Sequence, residues 1–156
     1  MVEHYYNAED YSARRSIGYL IRHGSNLLMS QVEGQFADSD ITFIQYIILM
    51  LLREKLAFTS ADLCQTLRYD SGAITRVIDS LEKKKLIKRQ RSTRDRRVVR
   101  LRLLARGNAT AESVIPLVVQ KYNHWLKDFT QEEADTLVRL LTKLNATICG
   151  DNKCGS

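Results

Sequence analysis

Between Ala8 and Phe36 apolar residues return every three or four positions, at Ile17, Leu20, Ile21, Leu27, Leu28 and Val32. That spacing predicts one long helix, capped by Asn7 with Asp10 three residues on. Gly34 and the Ala37-Asp38-Ser39-Asp40 stretch predict its end. At ~1.5 Å rise per residue such a helix extends about 43 Å, further than one small core requires. A second helix is predicted over Phe43 to Lys55, with Thr42 and Gln45 as a capping box. Seven of the eight residues from Tyr46 to Arg53 are apolar or aromatic, so this helix is buried nearly all round. Thr59 to Leu67, capped by Thr59 or Ser60, and Ser71 to Lys84 complete the first run of helices. Only Arg68-Tyr69-Asp70 separates these last two, the spacing of a helix-turn-helix.

Past Lys85 the period falls from 3.6 to two. Leu86 to Arg91 and Arg97 to Leu103 read as strands, with Ser92 to Arg96 as a polar hairpin tip. In the second strand Val99, Leu101 and Leu103 share one face and Val98, Arg100 and Arg102 the other. A hairpin after two helices is a wing. The helical period then resumes: Asn108 to about Phe129, with a bend expected at Pro116. A second capping box, Thr130 and Glu133, precedes the stripe Ala134, Leu137, Val138, Leu141, Leu144 and Ile148. The small, polar tail Gly150 to Ser156 is expected to fray. The fold class is mainly α with a small β-hairpin wing.

Composition narrows the class. Hydrophobic residues are 44% and charged residues 27% of 156, as in a soluble globular chain of one domain's size. One proline and seven glycines disfavour a many-stranded barrel or sandwich. The longest near-apolar run, Ile41 to Leu52, is too short to span a bilayer, so no membrane role is expected. No signal pattern opens the chain, and three cysteines (Cys64, Cys149 and Cys154) form no disulfide framework. A cytoplasmic location follows as the expectation. There is no His-Glu-x-x-His, glycine-rich phosphate loop or nucleophile elbow, which argues against an enzyme, and no cofactor is expected. His4, His23 and His124 share no ligand spacing with the cysteines, so no metal is expected either.

Charge changes the picture more. The net charge is +6, but Glu82 to Arg106 holds twelve Lys or Arg against two acids, which leaves the other 131 residues at −4. An arginine-rich block on a mildly acidic chain is a footprint for a polyanion. At ~100° per residue, Ile74, Val77, Ile78 and Leu81 of the fourth helix form one arc. Gly72, Arg76, Asp79, Ser80 and Lys83 lie on the opposite side. A helix of this kind fits a major groove of double-stranded DNA. Arg76 is then the candidate for a guanine. Gly72 and Ala73 permit close approach, and Ser71, Thr75 and Ser80 supply further polar contacts. The helix N-terminus favours a phosphate. Arg94, Arg96 and Arg97 crowd the hairpin tip around Asp95, an arrangement that an electronegative minor groove would relieve. Thr59, Lys83 and Lys85 are candidate phosphate contacts. The alternative is a winged helix used only for protein contacts, which such a concentration of charge disfavours. A deep A-form groove cannot admit a reading helix, which disfavours RNA.

Several of these segments resemble the multiple-antibiotic-resistance regulator (MarR) family. They are Ile41 to Tyr46, Thr59-Ser60-Ala61-Asp62-Leu63, Ile74 to Lys84 and Asp95-Arg96-Arg97-Val98-Val99. The likeness runs in order from about Ile41 to Leu144, and the Asp-Arg-Arg wing is its most specific part. It implies a homodimeric winged-helix transcription regulator, usually a repressor released from a palindromic operator by a small-molecule or redox signal. It also implies that Asp95 orients an arginine and that Arg97 faces the minor groove. Lys85 departs from the family pattern, standing where a glycine is expected at a left-handed helix end. Leu104 replaces a threonine, and Thr93 a common proline.

The implied organisation is a dimerisation helix over 1–36, a DNA-binding lobe over 37–104, dimerisation helices over 105–149 and a tail over 150–156. The sequence agrees in that Ile17 to Val32, Val114 to Trp125 and Leu137 to Ile148 carry more apolar stripe than one core needs. Tyr19, His23, Tyr46 and Ile47 are candidates for an effector pocket, taking a phenolic or aromatic molecule. Cys64 is the candidate for a thiol switch.

Overall fold

The computed structural model describes residues 5–37, 39–91 and 97–151. Among them the α-helices are α1 Ile17–Glu33, α2 Phe43–Arg53, α3 Ser60–Leu67, α4 Ser71–Lys83, α5 Ala105–Trp125 and α6 Gln131–Asp151. Between α4 and α5 lie two strands, β1 Ile87–Arg91 and β2 Val99–Leu103. The strands pair antiparallel, with Ile87 opposite Leu103 and Arg91 opposite Val99. The chain forms two compact units, divided between Val114 and Ile115.

The core of the first unit is built from α2, α3, α4 and the hairpin. Ile48, Leu49, Leu63, Ile74, Ile78, Leu81 and Ile87 are fully buried there. Each such side chain contributes roughly 1.5–3 kcal/mol by leaving water. Caps set where the helices begin. The Thr42 hydroxyl accepts the Gln45 N–H, and the Gln45 side-chain carbonyl accepts the Thr42 N–H. Thr59 and Asp62 make the same exchange at α3, and the Asp62 carboxylate also accepts from the Phe58 N–H.

The first helix is shorter than its apolar period suggests. Asn7 does accept the Asp10 N–H, at 2.8 Å, but that bond closes a local turn and not a helix. The rings of Tyr5, Tyr6 and Tyr11 pack edge to face, and the Tyr6 hydroxyl accepts the N–H of Ile17. Ser16 caps the helix through its hydroxyl and the Tyr19 N–H. A 3-10 turn, Gly34–Phe36, follows the other end. The fifth helix starts earlier than Asn108. Leu104 donates its N–H to Leu86 and accepts the N–H of Asn108, so the helix begins at Ala105. The Asn108 side chain instead joins Arg53 and Glu112. Pro116 lies inside α5, where it leaves the Glu112 carbonyl without a helical N–H donor. The last helix runs on through Gly150 to Asp151, beyond the expected fraying point.

Among the described residues three non-glycines take positive φ, each just past a helix end: Lys55 at 58°, Arg68 at 54° and Lys85 at 58°. The expectation of a left-handed Lys85 holds. Its N–H bonds the Glu82 carbonyl at 2.9 Å and the Leu86 N–H bonds that of Leu81 at 3.0 Å, which closes α4. A Cβ in this conformation costs about 1 kcal/mol or more, and glycine's greater unfolded freedom offsets part of that. Lys85→Gly should therefore raise stability by about 0.5–1 kcal/mol in urea unfolding. An unchanged midpoint would show that Lys85 carries no backbone strain.

Candidate nucleic-acid interface

Asp70 fixes the start of α4. Its carboxylate accepts the Ala73 N–H at 2.9 Å. The cap answers the orphan donor, but it also sets a negative charge where a phosphate was expected to sit. Beyond the cap, Ser71, Gly72, Thr75, Arg76 and Lys83 are exposed and Ala73 is half-buried. A methyl group at position 72 would stand 3.1 Å from the Asp70 carboxylate, so the glycine keeps the cap uncrowded. The Thr75 hydroxyl donates to the Ser71 carbonyl, leaving its lone pairs to face outward.

Ser80 is less open than these residues. It is half-buried and accepts a hydrogen bond from the Gln45 side-chain amide at 2.9 Å. Gln45 is buried, and its carbonyl also receives the Lys84 ammonium, at 3.1 Å; Lys84 reaches the Asp40 carbonyl as well. One buried amide thus ties the start of α2 to both Ser80 and Lys84. Ser80 is thus partly covered and held by Gln45, at the edge of the outward face.

The wing is held to α4 by an arginine that periodicity alone does not single out. Arg89 on β1 donates to Asp79 at 2.6 Å and to Glu82 at 2.6 Å, and its backbone N–H reaches Glu82 at 2.9 Å. The backbone and side-chain hydrogen bonds from Arg89 lower the Glu82 pKa. Burial opposes the Arg89 charge, but the hydrogen bonds to both acids outweigh it and raise the Arg89 pKa. Asp79 on the outward side of α4 and Glu82 on its flank therefore share one guanidinium at the root of the hairpin.

Further along the wing, the Leu101 N–H bonds the Phe58 carbonyl at 2.8 Å, so the segment before α3 extends the hairpin. The Arg100 guanidinium lies 5.9 Å over the Phe58 ring. Arg97 is exposed. Arg94, Asp95 and Arg96 lie outside the described residues. Of the phosphate candidates, Lys83 and Lys85 are exposed and Thr59 is half-buried at the α3 cap.

The effector candidates differ in exposure. Tyr19 and His23 stack at 5.6 Å on an exposed part of α1, while Tyr46 packs with Phe36 and Phe43 in the core. Ile47 is half-buried and Cys64 likewise. A cleft of about 460 Å³ lies instead against Met29, Phe36, Phe43 and Tyr69. Among the described residues, no group of His, Cys, Asp and Glu could hold a metal ion, and no helix is long and apolar enough to cross a membrane.

Two helices joined by a short turn, the second outward-facing and tied to a basic hairpin, define a winged helix-turn-helix of the kind found in transcriptional regulators. The family model described as "MarR family" matches residues 39–98. The multiple antibiotic resistance protein MarR of Escherichia coli is 35% identical over 106 residues, covering 67% of this chain and 74% of that protein. The chain belongs to the MarR family and is a transcriptional regulator, not an enzyme. The structure of apo MarR from E. coli matches with a TM-score of 0.72 and 30% identity over 83% of this chain and 96% of that one. BpsR of Bordetella bronchiseptica, in a structure concerned with regulation of its DNA binding by 6-hydroxynicotinic acid, matches at 0.74 and 25% identity. That match covers 86% of this chain and 96% of BpsR.

Proposed function

We propose that the chain acts as a homodimeric, sequence-specific repressor that binds a palindromic site in double-stranded DNA and leaves it on a small-molecule signal. The observation that carries the reading is the exposed face of α4, with Arg76, Thr75 and Lys83 outward and the wing clamped to its side by Arg89. A mutant of E. coli MarR, 30% identical to this chain over 82% of its length, has been solved with operator DNA, which supports the same use here. In this reading Arg76 reads a guanine, and Ser71, Gly72, Ala73 and Thr75 line the approach. Arg97, with Arg94, Asp95 and Arg96, serves the minor groove. Thr59, Lys83 and Lys85 meet phosphates.

Exposed apolar rows favour pairing of two chains through the segments 1–36 and 105–149, on either side of a DNA-binding lobe over 37–104. Leu20, Leu27 and Leu28 on α1 and Leu137, Val138 and Ile148 on α6 are 40% or more exposed in the single chain. On each helix, exposed apolar rows of this kind mark an interaction face. A two-fold dimer would present two recognition helices to half-sites about one turn, ~34 Å, apart.

Selection of bound duplexes from a random pool tests both parts together. It should return an inverted repeat with that spacing. Arg76→Ala should relax preference at one base pair of each half-site, at a cost of ~1–3 kcal/mol. A selected pool without symmetry would remove the dimer, and unchanged preference in the variant would remove the role of Arg76.

A further inference from the structure

Gln45 is buried near the start of α2, and its partners fix which way its side-chain amide points. Its Oε1 accepts the Thr42 N–H at 3.2 Å and the Lys84 ammonium at 3.1 Å, and both of these groups are donors only. Its Nε2 is therefore the atom that faces the Ser80 hydroxyl, at 2.9 Å. An amide nitrogen has hydrogens to give and no lone pair to offer, so the Ser80 Oγ accepts. The hydroxyl hydrogen points elsewhere.

A helical serine or threonine often turns that hydrogen back to the carbonyl one turn earlier. Thr75, Thr110, Thr142 and Thr147 do so, bonding the carbonyls of Ser71, Arg106, Val138 and Lys143. Ser80 accepts from Gln45 instead, and among the described residues its hydroxyl donates to no acceptor. It stands one turn beyond Arg76 on α4, so its hydrogen is left for a partner outside the chain on the face expected to meet DNA.

Lys84 adds strength to this arrangement. It is half-buried, bonds the Asp40 carbonyl as well, and sets a positive charge against the amide oxygen. A cation there draws electron density out of the amide, which strengthens its N–H as a donor and, through it, the Ser80 O–H. Such a donor gains most from an anionic oxygen. Base edges offer neutral acceptors, and the anionic oxygens of a duplex are those of its phosphates.

We propose that Gln45 is a positioning residue for DNA binding: through the line of bonds from Lys84 to Ser80 it holds the Ser80 hydroxyl as an outward donor to one phosphate of each half-site. This deepens the proposed DNA reading and rests on it. Gln45 itself is covered and acts only through Ser80.

Gln45→Glu tests the polarity with little change of shape. Glutamate also forms a capping box with Thr42 and also accepts from Lys84, so the variant should melt with the parent. Its carboxylate has no hydrogen to give, so Ser80 donates to it and its hydroxyl turns inward. Affinity for a duplex selected by the parent should fall about five- to tenfold, and by a similar factor in Ser80→Ala. The double variant should bind no worse than Ser80→Ala, because both changes remove the same bond. Losses that multiply would overturn the relay and assign the effect to the added charge, and variants that bound like the parent would overturn it outright. A neutral methylphosphonate, moved in turn along each half-site, should at one position weaken the parent and leave Ser80→Ala unchanged. No such position would overturn the phosphate as the partner. In the chain without DNA, NMR should show the Gln45 side-chain amide signals displaced by Lys84→Met and by Ser80→Ala, and unmoved signals would overturn the line of bonds. A parent that bound no duplex would overturn the DNA reading and the phosphate with it, while the amide signals still reported the bonds themselves.

Discussion

Gly107→Ala should cost the chain about 3 kcal/mol or more. The added Cβ would stand 2.1 Å from the Leu86 carbonyl oxygen and 2.8 Å from Cδ1 of Leu103. The side chain of Leu103 can turn away. The Leu86 carbonyl cannot, because it accepts the Leu104 N–H at 3.0 Å, and the Leu86 N–H in turn closes the end of α4. Relieving the clash therefore means moving α5 off the root of the wing or breaking that closure. Overpacking of this kind costs typically 1–3 kcal/mol and more when backbone must shift. For a chain of this size each 1 kcal/mol lowers the melting temperature by roughly 2–4 °C, so a fall of about 10 °C is expected.

Gly18→Ala, on the side of α1 away from its exposed leucines, is the matched control. It too lies within a helix, and nothing stands within 4 Å of its added methyl. Alanine should there stabilise the chain by about 0.5–1 kcal/mol through helix propensity. Calorimetric melting of the two variants checks the pair. If Gly107→Ala melted with the parent, the close approach of α5 to Leu86 would not exist in solution.

These positions show what was readable in the residues themselves. The capping box of Thr42 and Gln45 is legible because donor and acceptor are three residues apart, and the box of Thr130 and Glu133 forms for the same reason. The order of periods gave the helix-turn-helix and its wing, because alternation and 3.6-residue spacing are local properties. The family likeness added the left-handed position of Lys85. Errors begin where a partner is distant in sequence. The helical angle groups Ser80 with the outward residues, and only the buried amide of Gln45, 35 positions earlier, shows that it is partly covered. Asn7 has a cap's chemistry and a cap's bond, yet the tyrosine cluster and Ser16 set the start of α1 ten residues later. Gly107 falls before the expected helix start at Asn108, and only Leu86 placed against it shows why a side chain does not fit there. Arg89 reads as one cation among twelve, because the acids that hold it lie seven and ten residues back across a turn.

Arg89→Ala should have the largest effect on DNA affinity of any substitution outside the outward face of α4. Two consequences act together. The hairpin loses its side-chain tie to the recognition helix, so the wing no longer meets the duplex at a fixed angle. Asp79 and Glu82, which share the Arg89 charge in the parent, lose it and add one net negative charge beside the expected phosphates. Electrostatic terms of this kind dominate binding to DNA at moderate salt. A loss of roughly 10- to 100-fold is expected, that is about 1.4–2.7 kcal/mol. Stability should fall less, by about 1 kcal/mol, since all three side chains are a third or more exposed and such pairs are screened. The backbone bond from residue 89 to Glu82 does not depend on the side chain and remains. Asp79→Asn combined with Arg89→Ala separates the two consequences. Removing the bare acid should restore about tenfold of the lost affinity, and what is not restored belongs to the loosened wing. Acid provides a second test. Because Arg89 lowers the Glu82 pKa, the clasp stabilises the fold fully above the ordinary value near 4.5 and is lost as pH falls through the lowered one. The parent's margin over Arg89→Ala in urea should therefore stay constant from pH 5 to 8 and shrink towards pH 3. A margin that instead faded towards alkaline pH would mean that the carboxylates are not what holds Arg89, and a variant that bound duplex like the parent would mean that the clasp does not orient the wing.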